Sequence, residues 1–273
     1  MSIRKSLLAL SLLTASHALY AANTAEPHFR TGMYLGLMEG LSAGQTKMSE
    51  NYRPDPRDIA AGAENYNASK SISRSAFVSE VMVGGRYLMD NGFFPGFEVA
   101  ASFANHKFEN DFVFHDTALN NFNPLFPAPA VSPAGDNIFR AAIKRRYSFV
   151  PSVVLGWAFS QQFNVFAKLG LGITKYDVRI LNDTFDGGVG FNTPYFRGSQ
   201  GKTYYSFVPA LGIEYSFNRY VSFVASASYE VGQKPEFTNS HLVEQQALPI
   251  NDSNRLSGRV SIFTQKIGLL FKF

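Results

Sequence analysis

The stretch that most constrains this chain is its last one, Lys266-Ile267-Gly268-Leu269-Leu270-Phe271-Lys272-Phe273. Read with period two, Ile267, Leu269, Phe271 and Phe273 fall on one face. Lys266, Gly268 and Lys272 fall on the other, with Leu270 the exception. Such alternation predicts a strand with one apolar and one polar face. An exposed edge ending in Phe-Lys-Phe would be adhesive in water, so the strand has to be paired or placed in lipid.

Seven earlier runs carry the same period: Phe29–Lys47, Arg74–Tyr87, Phe94–Phe108, Ala141–Ser160, Phe163–Val178, Thr203–Phe217 and Tyr220–Gly232. The eighth is Ser257–Phe273. The connections alternate in length. Polar stretches at about 49–71, 110–137, 181–201 and 234–256 read as loops, while Asp90-Asn91-Gly92, Gln161-Gln162 and Asn218-Arg219 read as tight turns. Eight strands with four long and three short connections predict an all-β, antiparallel up-and-down barrel. Tyr147-Ser148-Phe149-Val150-Pro151-Ser152 is echoed by Tyr205-Ser206-Phe207-Val208-Pro209-Ala210. Proline cannot donate to a ladder, so a bulge or an unpaired amide is expected at both places.

Which face points inward follows from size. The polar faces carry Glu80, Arg86, Glu98, Lys144, Arg146, Lys168, Glu214, Glu230 and Lys266 among Gly, Ala and Ser. Eight strands enclose just enough room for such side chains. The opposing set is too bulky to fit inside, and its Tyr147, Trp157, Phe159, Tyr205, Phe217, Tyr220, Phe271 and Phe273 suit interfacial girdles. The barrel is therefore read as inverted, with its apolar side toward lipid.

The start of the chain agrees. Arg4 and Lys5 precede an apolar run and then small residues, the layout of a signal peptide over 1–21, leaving the barrel domain at 22–273. The chain has no cysteine, so disulfides, thiol catalysis, zinc–thiolate sites and lipid attachment at cysteine are excluded. The formal charge of +4 falls to about +2 without Arg4 and Lys5, too little for a nucleic-acid footprint.

The pattern resembles the small eight-stranded bacterial outer-membrane barrels, namely the OmpA transmembrane domain and the opacity-type surface antigens. Lys266, Gly268, Phe271 and Phe273 match their C-terminal signal. The resemblance implies recognition by the barrel-assembly machinery, residence in the outer membrane among lipid and lipopolysaccharide, and a surface role toward a host surface or extracellular ligand. Three sites follow as expectations. The interior charges form either a salt-bridge plug or a narrow ion path. Aromatics at Tyr52, Tyr66, Phe122, Phe126, Phe185, Phe191, Tyr195 and Phe196 offer a loop binding surface. The histidines His28, His106, His115 and His241 show no triad order or metal spacing, so neither a catalytic set, a metal nor a cofactor is expected. The function expected is a surface-exposed structural or adhesin-like barrel; the alternative is a narrow porin, and a lipid-modifying enzyme comes third.

Overall fold

The computed structural model describes residues 31–53, 66–115, 136–184, 198–232, 234–242 and 251–273. Among the described residues there are ten strands: β1 (Gly32–Arg53), β2 (Tyr66–Arg86), β3 (Phe93–Ala104), β4 (Lys107–His115), β5 (Asp136–Ala158), β6 (Phe163–Thr184), β7 (Gly198–Ser216), β8 (Val221–Glu230), β9 (Glu236–Leu242) and β10 (Asn251–Lys272). They build eight staves. β3 and β4 lie end to end along β5, separated at Asn105-His106. β8 and β9 lie end to end along β10. Neighbours run antiparallel in the order β1-β2-β3-β5-β6-β7-β8-β10, and β10 pairs with β1 to close the barrel. The signal-peptide stretch 1–21 lies outside the described residues.

The staves are longer than the alternation indicates. β2 begins at Tyr66, β5 at Asp136 and β6 runs to Thr184, so part of each stretch read as an outer loop is ladder. Above the membrane both faces contact water or one another, and the apolar/polar period that marks a strand fades while backbone pairing continues. The turn at Asp90-Asn91-Gly92 forms as expected. Gly92 adopts φ 86°, and Asn91 Oδ1 accepts from the Phe93 amide at 3.0 Å.

Each proline of the echoed motif interrupts one ladder. β5–β6 pairing passes from Phe149↔Ile173 to Ser152↔Gly170, skipping Pro151. β7–β8 pairing stops at Ala210↔Ser228 and resumes as an isolated bridge at Phe207↔Val231, skipping Pro209. The missing N–H is placed where no bond is asked of it.

Stagger fixes the height of every side chain. Partners traced from Gly32 run through Arg86, Gly96, Val154, Lys168, Ala210, Ser228 and Thr264, and return to β1 at Ser42. One circuit thus climbs the ten residues from Gly32 to Ser42, which tilts the staves to about 40° and gives about 2.5 Å of height per residue. On this scale two rings of outward aromatics appear. Tyr87, Trp157, Phe163, Tyr215, Tyr220 and Phe273 stand at the periplasmic rim. Phe77, Phe103, Phe149, Phe207, Tyr229 and Phe263 stand about ten residues higher. The wall between them, roughly 25 Å tall, is the lipid-facing band of an outer-membrane barrel. Above it the outer wall turns polar, with Gln45, Lys47, Asn105, Lys107, Lys175 and Arg259.

Candidate functional site

Inside the barrel, inward positions alternate with outward ones along every stave and fill the lumen in layers. At the periplasmic floor Arg86 donates to the Glu214 carboxylate from both terminal guanidinium nitrogens, Nη1 to Oε2 and Nη2 to Oε1, the latter at 2.8 Å. Lys272 stands beside them, with Nζ donating to Ser216 Oγ at 2.8 Å. Over this floor lies an apolar layer of Tyr34, Met38, Met82, Phe94, Phe166, Val224 and Leu270. Inward glycines make room for its rings: a Cβ at Gly156 would collide with Phe94, and one at Gly212 with Phe166.

At mid-height the interior is polar. Lys168 Nζ donates to both oxygens of Glu98 at 2.6 and 2.7 Å, and the Tyr34 hydroxyl donates to Glu98 at 2.9 Å. Lys266 Nζ holds both oxygens of Glu80 at 2.6 and 2.7 Å. Arg145 Nη2 donates to Glu230 at 2.9 Å, and the Thr174 and Ser206 hydroxyls complete that carboxylate. Burying charge without such partners is prohibitive, and each carboxylate here has a cation and most have further donors. These three pairs surround a small chamber of about 50 Å³, room for a water or two.

A second apolar layer lies above the chamber. It comprises Met48, Ile72, Phe108, Ile143, Tyr176, Val178, Leu256, Val260 and Ile262, with Tyr204 against it. Just below, His106 lies over Phe108, ring centroids 5.9 Å apart, and its Nε2 meets Ser42 Oγ at 3.1 Å. His106 is level with outward Asn105 and Lys107, above the lipid band. Burial lowers its pKa to about 4, and the Arg145 charge adds to the shift.

The network differs from the sequence reading at one place. Arg146 and Lys144 were both expected inside, and neither is. The β5–β6 register shifts between Arg145 and Tyr147, inserting one residue and exchanging inside for outside above it. Arg146 consequently sits on the outer wall and binds Asp177 at 2.6 Å, and Lys144, half-buried, shares that wall. Arg145 takes the interior position. The same slip moves Ile143, expected toward lipid, into the upper apolar layer. Nothing in Lys144-Arg145-Arg146 marks which of three consecutive cations points inward.

The remaining expected residues are placed as follows. Glu80, Arg86, Glu98, Lys168, Glu214, Glu230 and Lys266 all face the lumen, joined by Lys272 and Tyr34, which were not singled out. Gly268 faces inward, while Phe271 and Phe273 face lipid on the strand that closes the barrel. Tyr52 and Tyr66 are paired partners at the top of the β1–β2 ladder. Phe122, Phe126, Phe185, Phe191, Tyr195 and Phe196 lie outside the described residues. Among the described residues no group of three or more His, Asp or Glu is placed to hold a metal ion.

No protein-family model and no curated protein matches the chain. Solved structures do. OprG, an outer membrane protein of Pseudomonas aeruginosa, is 15% identical, covering 90% of this chain and 98% of its own at a TM-score of 0.47. The outer membrane protease OmpT of Escherichia coli is 9% identical, with coverages of 87% and 97% and a TM-score of 0.40. The attachment invasion locus protein Ail of Yersinia pestis is 11% identical, with coverages of 86% and 98% and a TM-score of 0.36.

Proposed function

We propose that this barrel is a surface scaffold of the outer membrane, acting as a structural or adhesin-like protein through the connections at its outer end. The observation that carries this reading is how fully the lumen is occupied: clusters of buried apolar side chains lie below and above the paired charges, with a space of about 50 Å³ among them. An ion crossing the barrel would have to leave the paired charges and pass the side chains of Met38, Phe94 and Phe166 on one side and Phe108 and Ile143 on the other. The interior then serves to stiffen the staves, and contact with the outside falls to the four outer connections, including the aromatics at Phe122, Phe126, Phe185, Tyr195 and Phe196. Outer-membrane lipid and lipopolysaccharide surround the wall, the barrel-assembly machinery engages the β10 signal, and a host surface or extracellular ligand meets the loops.

Two measurements test it. Refolded full-length protein in planar bilayers is expected to be silent; steady single-channel openings would favour the narrow porin instead. Bacteria displaying the chain are expected to adhere to matrix-coated surfaces, and to lose that adherence when 116–135 and 185–197 are replaced by short turns. Unchanged adherence by the shortened, folded barrel would remove those two connections and their aromatics from the function.

A further inference from the structure

The lipid-facing band holds one polar patch. Between the two aromatic rings, the outward positions of the described residues are apolar or glycine apart from tyrosine hydroxyls at the rims and three side chains: Glu39, Ser79 and Gln265. These three are contiguous. Glu39 and Ser79 are direct partners across β1–β2, with Ser79 Oγ donating to Glu39 Oε2 at 2.9 Å. Gln265 is paired with Leu41, the next outward residue above Glu39. Glu39 stands seven residues above Gly32, about 17 Å over the periplasmic rim, well inside the hydrocarbon.

A carboxyl group at that depth demands donors or a proton, and acyl chains supply neither. Ser79 supplies one bond and leaves the rest of the carboxyl group to be satisfied. The patch itself suggests what completes it. Gln265 carries both donors and an acceptor, and the Glu39 carboxyl group accepts, so the surface is complementary to itself. A two-fold axis near Leu41 sets Gln265 of each copy against Glu39 of the other, the reciprocal contact that isologous interfaces require. Beside the patch begins an open depression in the wall, which runs from Glu39 and Gln265 past Ala225 and Ala227 and on toward Trp157. Small alanines in such a wall let a second wall approach closely, which is how protein surfaces pack in lipid when no hydrophobic force drives them together.

We propose that the chain forms a two-fold dimer in the membrane through β1 and β10, with reciprocal Glu39–Gln265 hydrogen bonds at its centre. Because the chain has no cysteine, single cysteines report the contact directly. Leu41→Cys full-length protein in phosphatidylcholine vesicles, oxidised with copper-phenanthroline, is expected to give a covalent dimer. Leu171→Cys is the control, exposed on β6 at the same height on the opposite side of the barrel. The Leu41→Cys yield should exceed the control by at least about fivefold, the scale of the interchain hydrogen bonds at stake. Adding Glu39→Leu and Gln265→Leu, both compatible with a lipid-facing wall, should reduce it to the control level. Glu39→Gln, which still hydrogen-bonds, should keep most of it. Folding of each variant is read from heat-dependent gel mobility. Equal yields at Leu41→Cys and Leu171→Cys, or a Leu41→Cys yield indifferent to the leucine substitutions, would overturn the proposal and leave the patch to lipid or to a different chain.

Discussion

Glu80 and Glu39 stand at the same height on adjacent staves, one on each side of the same sheet. Glu80 points into the lumen, where Lys266 holds both its oxygens. Glu39 points toward lipid, where the Ser79 hydroxyl donates to it. Both have left water, yet the protein treats them differently. A lumen walled by eight staves always has an opposite stave from which a cation can reach across. The outer wall has only its own neighbours, and of these Ser79 supplies one bond. The contrast separates charge that stabilises a fold from charge that calls for a partner.

The largest effect should come from breaking the inner pair on one side only. Lys266→Met leaves Glu80 buried beside a methionine and is expected to cost about 3–5 kcal/mol in unfolding by urea, whereas Lys266→Met with Glu80→Leu should recover most of the loss. If the double change costs as much as the single one, the pair does more than neutralise itself.

The register shift in β5 offers a comparison between sequence neighbours. Arg145→Met strands Glu230 in the interior and should again cost about 3–5 kcal/mol. Arg146→Met removes an outer-wall bond to Asp177 from a half-exposed side chain and should cost under about 1 kcal/mol. Equal losses would place both arginines in the same environment and contradict the bulge.

Acid probes the boundary between the two regions. His106 is held neutral, its pKa lowered from 6.5 to about 4 mainly by burial. The unfolded chain binds the proton first as pH falls, so the stability from this group is complete above about pH 6.5 and drains away between there and about pH 4, by up to about 3 kcal/mol. Urea midpoints measured across that window should fall, and His106→Phe should flatten the dependence.

The smallest expected effect lies on the outer wall. In detergent at concentrations where the chain is monomeric, Glu39→Leu should leave stability unchanged or raise it by about 1 kcal/mol, because it removes a polar group from the lipid face. A large loss would mean that Glu39 braces the barrel itself.

How much of this was legible varies with the physics involved. Along Val165–Ile173 or Tyr205–Tyr215 one period holds for the whole membrane crossing, and inside and outside can be assigned residue by residue. At Lys144-Arg145-Arg146 a single inserted residue reverses the assignment, and it leaves no composition signal because all three are cations. The outer ends of β2, β5 and β6 carry the polar composition of loops because neither face there meets lipid. Glu39 gives no signal of its own for a related reason: it sits on a strand rich in glycine, and only the common height of Glu39, Ser79 and Gln265 makes them a patch.

The sequence by itself determined that eight amphipathic staves would close into an inverted barrel, since period two and the size of the two residue sets allow no other arrangement in a membrane. Tertiary structure alone decided which cation meets which carboxylate, where apolar side chains fill the lumen, and which polar groups share a height. Those depend on a ten-residue stagger summed over eight ladders, and one shift in a single ladder changes the answer for every residue above it.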